Sequence, residues 1–172
     1  MARLQFAAIV TIMSVELIVV ITMLSQKARY ALRALFALGA HKGREPVMIA
    51  DIAEQANVPR KFLEQILLEL KKSGIVHSQR GKFGGYVLGR PPENIAFAEV
   101  LRAIDGPLAL SPCASRTAYR KCDDCEDETT CAIRKVLLTV RDATAEILET
   151  HTLAQALADE KSAKKRRHAR SA

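Results

Sequence analysis

Residues 48–74, MIADIAEQANVPRKFLEQILLELKKSG, constrain the architecture of this chain more than any other stretch. MIADIAEQA puts Ile49, Ile52 and Ala53 on one face of a short amphipathic helix. Asn57 tolerates the left-handed backbone that a tight turn requires, and Pro59 has its φ pre-set for the first position of a new helix. That second helix places Leu63, Ile66, Leu67 and Leu70 at i, i+3, i+4 and i+7. Lys71 and Lys72 complement the dipole at its end, where Gly74 stops it. Two short helices across a tight turn, with small Ala53 where they cross, form a helix-turn-helix, whose second helix can enter a major groove.

The flanking segments extend this motif. SQKARYALRALFALGAH predicts a helix from Leu24 to His41 with Ser25 as its N-cap, broken by Gly43 and Pro46. After Gly74, the apolar runs IVHSQ and GYVLGR surround RGKFGG, the pattern of a β-hairpin with glycines at its turn. A hairpin after a helix-turn-helix makes a winged helix, with Arg80 and Lys82 at the wing tip. The fold class is therefore mainly α, a winged helix-turn-helix with a small β-hairpin wing and a long C-terminal helix. PPENIAFAEVLRAIDG gives a turn and a short helix over about 96–104, packed back on the module. The long helix runs from about Thr130 to Thr150. Its Ile133, Val136, Val140, Ala143 and Ile147 form a heptad-like seam, suited to packing on its own domain or to two-fold pairing.

The chain divides into residues 1–22, an apolar extension outside the working fold; 23–90, the winged helix; 91–159, the cysteine loop and dimerisation helix; and 160–172, a basic disordered tail. Charge follows the same division. Residues 24–90 hold 12 basic and 5 acidic side chains, 91–159 hold 7 and 12, and 160–172 hold 6 and 1. A basic module suggests a polyanion partner, double-stranded DNA for a winged helix. LQFAAIVTIMSVELIVVITML is long enough to span a bilayer, and Glu16 at its middle costs about 2.5–3.5 kcal/mol, so a membrane anchor is the alternative for the extension. No Ser-His-Asp arrangement, phosphate loop or His-rich metal site is present, so no enzymatic activity is expected.

All four cysteines, Cys113, Cys122, Cys125 and Cys131, fall within 19 residues. In a reducing cytoplasm, clustered thiols bind metal or sense redox state more often than they form structural disulfides. Zinc favours two C-x-x-C knuckles, and only Cys122–Cys125 has that spacing. Iron–sulfur clusters accept irregular spacing, because the ligands sit on a loop around the cluster. The acidic neighbours Asp123, Asp124, Glu126, Asp127 and Glu128 count against strongly acidified thiols.

MLSQKARYALRAL, FLEQILLELKKSGIVHSQRGKFGGYVLGR and FAEVLRAIDGPLAL resemble, in order, the signature stretches of the Rrf2 family of bacterial winged-helix regulators. The resemblance covers Met23 to about Ala158. It implies a cytoplasmic, homodimeric repressor that binds a palindromic operator. By the resemblance, Glu64 and Gln65 face the major groove, Arg80 reaches the minor groove, and Ser25, Lys27, Tyr30, Arg60 and Lys61 lie near phosphates. Lys82 joins Arg80 on the wing. Cluster-bearing members use three cysteines, which Cys113, Cys125 and Cys131 match. Cys122 is an addition to that pattern and is the candidate fourth ligand, because Arg134 and Arg29 stand where members place a non-cysteine ligand. The implied cofactor is a two-iron or four-iron cluster responding to iron, nitric oxide or redox state. The alternative is a membrane-tethered zinc-binding or adaptor protein that uses the winged helix for protein contacts.

Overall fold

The computed structural model describes residues 24–41, 45–81 and 83–170. The apolar extension and Lys82 lie outside these residues. Helix α1 (Gln26–Ala40) begins at Ser25, whose side chain accepts the Ala28 N–H at 2.9 Å. Helix α2 (Ile49–Ala56) ends at Asn57, which takes the left-handed conformation with φ 50° and ψ 55°. Helix α3 (Arg60–Lys72) starts one residue later than the sequence suggests, with Pro59 at the cap rather than inside. Strands β1 (Val76–Gln79) and β2 (Gly85–Leu88) pair antiparallel, from Val76 against Leu88 to Gln79 against Gly85. Helix α4 (Phe97–Asp105), helix α5 (Ala132–Thr150) and helix α6 (Leu153–Arg170) follow, with 3-10 turns at Pro92–Asn94 and Pro112–Ala114.

The core lies where α1, α3 and α4 meet. Ala28, Ala31, Ala34 and Leu35 of α1 are fully buried, and the small alanines let neighbouring helices approach closely. All four predicted α3 positions, Leu63, Ile66, Leu67 and Leu70, are buried with them. Burying each such side chain contributes about 1.5–3 kcal/mol, so α3 is held by its apolar stripe. In α2 the stripe is narrower than expected: Ile52 and Ala56 are buried, while Ile49 and Ala53 are only partly covered.

The C-terminus returns to the N-terminal module. Leu153 N–H donates to Ile95 O at 2.8 Å, and Phe97 N–H to His151 O at 3.0 Å. These bonds place Leu153 and Leu157 on α1, where both are buried. Gly39 permits the approach, since a Cβ there would stand 2.6 Å from Leu157 Cδ1. Helix α6 then continues to Arg170. The expected disordered tail over 160–172 is thus helical as far as it is described. Its polarity shows that this segment is solvated, and its Lys, Ala and Arg residues are good helix formers extending an already nucleated helix.

Helix α5 differs from the others. None of its residues is buried. Ile133, Val136, Val140 and Ile147 of the predicted seam are 73%, 62%, 38% and 58% exposed. Arginines attach it to the body instead. Arg141 Nη1 donates to Ala114 O at 2.7 Å, Arg134 Nε to Cys113 O at 3.0 Å, and Arg102 pairs with Glu149 at 2.5 Å.

Candidate DNA-binding face and cysteine site

Because α3 turns Leu63, Ile66, Leu67 and Leu70 inward, Arg60, Lys61, Glu64, Gln65 and Leu68 are left on its outer face. Glu64 and Gln65 are exposed side by side there. Gln offers the paired donor and acceptor that match adenine, and Glu an acceptor for cytosine. Arg60 Nε pairs with Glu64 Oε1 at 3.3 Å, one helical turn apart at i, i+4. Lys61 is exposed and has no ion-pair partner among the described residues.

Helix α1 lies beside this face. Tyr30 and Phe62 hold their rings 6.4 Å apart at 54°. Lys27 Nζ pairs with Glu69 at 2.7 Å, so this expected phosphate contact carries an internal partner as well. Ser25 is committed inside the protein. Its hydroxyl donates to Asp105 Oδ1 at 2.5 Å while accepting the Ala28 N–H, which leaves it no proton to offer a phosphate. Ser25 thus caps α1 and ties it to the end of α4.

The wing is set by its backbone. Val47 and Tyr86 exchange two N–H to O bonds of 2.9 Å, adding a one-residue bridge to the hairpin. A Cβ on Gly85 would come 2.3 Å from Val47 O, so only glycine allows this third segment to close on β2. Gly84 N–H donates to Gly81 O at 2.9 Å and turns the chain between the strands, leaving Arg80 exposed next to the turn. Lys71 Nζ donates to Ser78 Oγ at 2.7 Å and fixes the wing to α3. Phe83, at 83% exposure, and Phe62, at 62%, were not singled out from the sequence. An aromatic inside a glycine-rich turn has no core to enter, which is the signal that marks Phe83.

The cysteine site forms where the loop after α4 meets the start of α5. Cys113 is buried, with its Sγ 3.3 Å from Ser111 Oγ. Hydrogen bonding from Ser111, then from Cys122, and the charge of Arg134 hold the Cys113 thiol below its ordinary pKa. Cys122, the other member of that contact, is pushed up by it and by burial. Cys125 is also pushed up, chiefly by burial, and Cys131 lies within its electrostatic reach. Cys125 N–H donates to Cys122 O at 3.2 Å, which closes the C-x-x-C turn.

Cys131 is the N-cap of α5, its Sγ accepting the Arg134 N–H at 3.4 Å. Arg134 therefore does something the sequence did not reveal. Its backbone N–H donates to the capping sulfur of Cys131 while its guanidinium holds the carbonyl of Cys113, clasping the two ends of the loop. Nearby, Tyr119 donates to Glu128, and this bond pushes the phenol up to about 12. Among the described residues, no group of three or more His, Cys, Asp or Glu side chains stands arranged around a single metal ion.

A helix-turn-helix with an exposed polar second helix and a glycine-turned wing defines the DNA-binding module of a winged-helix transcriptional regulator. The model of the family Rrf2, described as an iron-dependent transcriptional regulator, matches residues 24–159, and this chain belongs to that family. An Rrf2-like transcriptional regulator of Rhodobacter capsulatus is 44% identical over 79% of this chain and 93% of its own length. The solved structure of CymR, the global cysteine regulator of B. subtilis, superimposes with a TM-score of 0.64 at 30% identity, covering 80% of this chain and 98% of that one. IscR of T. potens superimposes at 0.63 with 31% identity, covering 83% and 90%.

These relatives are transcriptional regulators rather than enzymes, and the tethered adaptor is not favoured by the likeness. Among the described residues, no helix is long and apolar enough to cross a membrane. The apolar run that prompted the anchor reading lies largely outside them.

Proposed function

We propose that the chain acts as a homodimeric repressor reading a palindromic operator through α3 and the wing, and that an iron–sulfur cluster on Cys113, Cys122, Cys125 and Cys131 controls its affinity. The observation that carries this reading is the gathering of all four thiols at the junction where the α4 loop is clasped to the start of α5. Within the proposal, Glu64 and Gln65 read base edges, Arg80 of the wing reaches the minor groove, and Ser25, Lys27, Tyr30, Arg60 and Lys61 lie near phosphates. Opening the pairs Lys27–Glu69 and Arg60–Glu64 would free these cations for DNA.

The donor set fits a cluster by its chemistry. It consists of thiols alone, with an arginine and a helix N-terminus to offset thiolate charge. Four thiols at irregular spacing, with a single C-x-x-C among them, suit a polynuclear cluster better than the paired knuckles of a zinc site. When bound, the cluster supplies redox and ligand-exchange chemistry. The chain's own residues determine what such a change moves. Cys131 and Arg134 join the loop to α5, and Arg102 joins α5 to α4, which packs on α3. Two subunits reading one palindrome feel any such movement twice. A coupling of about 1–3 kcal/mol changes affinity roughly 5- to 150-fold.

Iron, sulfide and zinc analysis of anaerobically purified protein tests the cofactor directly. Stoichiometric iron and sulfide with visible charge-transfer absorption is expected, and colourless protein with one zinc per chain would overturn it. Cys113→Ser, Cys125→Ser or Cys131→Ser should abolish the absorption, and Cys122→Ser should leave a cluster more labile to oxygen. A second reading is favoured by the Cys113–Cys122 contact and the lowered Cys113 pKa. In it the two thiols give up two electrons and two protons to a peroxide and form a disulfide. Mass spectrometry of metal-free protein after peroxide treatment separates the readings, since only the switch predicts an operator response without iron.

A further inference from the structure

Helix α6 changes its chemistry part way along one face. Leu153 and Leu157 lie on α1, and the same face continues through Lys161, Lys164 and His168 at helical spacing. Residues 160–172 hold six basic side chains and one acidic. That acid, Glu160, pairs with Lys164 at 2.8 Å, while Lys161, Lys165, Arg166 and Arg170 are exposed with no acidic partner among the described residues. The family match ends at residue 159, where this basic half of the helix begins.

Its position gives the charge a direction. Glu160 and Lys164 line one groove with Arg33 of α1 and with Gln55 and Ala56 at the end of α2. Ala56 leads through the turn at Asn57 directly to Arg60 and Lys61, where α3 begins. In this motif the start of the second helix faces the duplex and the first crosses its backbone. The basic half of α6 therefore runs beside the elements that meet the DNA.

We propose that residues 161–170 form a second, sequence-independent contact with duplex DNA, a helical arm lying along phosphates that flank the site read by α3 and the wing. This inference rests on the DNA-binding reading of the winged helix. Two features of the arm select duplex backbone over other polyanions. Ala163 and Ala169 are its only apolar residues, which gives it no face to bury in a membrane. It also lacks Phe, Tyr and Trp, which single strands need for base stacking. Like charges at i, i+4, as in Lys161 with Lys165 and Arg166 with Arg170, repel and loosen the free arm. Neutralisation by phosphates removes that repulsion, so binding and helix order reinforce each other.

The test uses full-length protein and a mixed-sequence duplex of about 30 base pairs, long enough to extend beyond a single site. Binding is followed against salt for wild type and for a variant with Lys161→Gln, Lys164→Gln, Lys165→Gln and Arg166→Gln together. Each lost phosphate contact lowers the slope of log K against log salt by about 0.9, so a fall of about two units or more is expected. Amide exchange over residues 161–170 should slow when duplex is added to the wild type and stay unchanged in the variant. Glutamine retains helix propensity, and an unaltered melting curve verifies that the variant is folded. Equal slopes in two folded proteins that both bind the duplex, with Arg80→Ala weaker than either, would overturn the arm alone. Wild-type protein that does not bind the duplex at all would overturn the winged-helix reading with it.

Discussion

Helices α3 and α5 each carry an apolar stripe at helical spacing, yet they are held in opposite ways. The stripe of α3 is fully enclosed, and its polar face is turned outward. In α5 the stripe is open, and arginines fasten the helix to the loop and to α4. One chain can complete the first helix but leaves the second unfinished. An exposed row of Ile and Val on a well-ordered helix is what a second copy of the helix would cover. Stability of the DNA module and assembly of the proposed dimer should therefore respond to different substitutions.

The largest effect is expected inside α3. Leu67→Ala removes a fully buried side chain and should cost about 2–5 kcal/mol in urea unfolding. A loss below about 1 kcal/mol would mean that the module's core is not where its burial places it. Next comes the open stripe. Val136→Lys with Val140→Lys should leave the module folded while weakening self-association roughly 100-fold or more, as sedimentation would record. An unchanged dimer would move the interface off α5, and an unfolded monomer would erase the distinction between the two helices.

The smallest effect concerns the arginine fastening. Asp142 accepts from Arg141 at 2.7 Å and from Arg116 at 2.8 Å, and the Arg141 bonds chiefly hold its carboxyl below the usual range. A depressed carboxylate contributes stability above its unfolded pKa of about 3.9 and loses it as pH falls through the lower folded value. Acidification across that window should loosen the loop at Ala114 from α5 before it disturbs α3. The Arg141 Nε–H resonance monitors this. Its titration should vanish in Asp142→Asn, and persistence there would assign the pH dependence to another group.

The contrast also explains what could be read from the sequence. Periodicity gives α3 because its four apolar positions and its stop at Gly74 are local, and Asn57 marks the turn through its own backbone preference. The seam of α5 is equally visible, while its exposure depends on what lies across from it. Internal commitments were hidden for a related reason. Ser25 is occupied by Asp105 and Lys27 by Glu69, partners far away in the chain that no local pattern links to them. The gathering of cysteines could be seen in their spacing, but the clasp made by Arg134 needed the loop and helix to meet. In α6, the dense basic charge suggests disorder, yet charge and helix propensity are separate properties and the segment is helical to Arg170.

The seating of Leu157 against Gly39 also bears on how the protein is born. A ribosome releases α1 early, and α1 can gather α2, α3 and the wing as they emerge. The patch around Leu38 and Gly39 then stays bare until α6, at the far end of the described chain, is made. Until then the nascent domain carries an unfilled slot shaped for its own α6. Such a slot is a place for chaperones to hold or for a neighbouring chain's α6 to enter by mistake. Synthesis of α6, rather than completion of the winged helix, is thus the moment at which this slot closes.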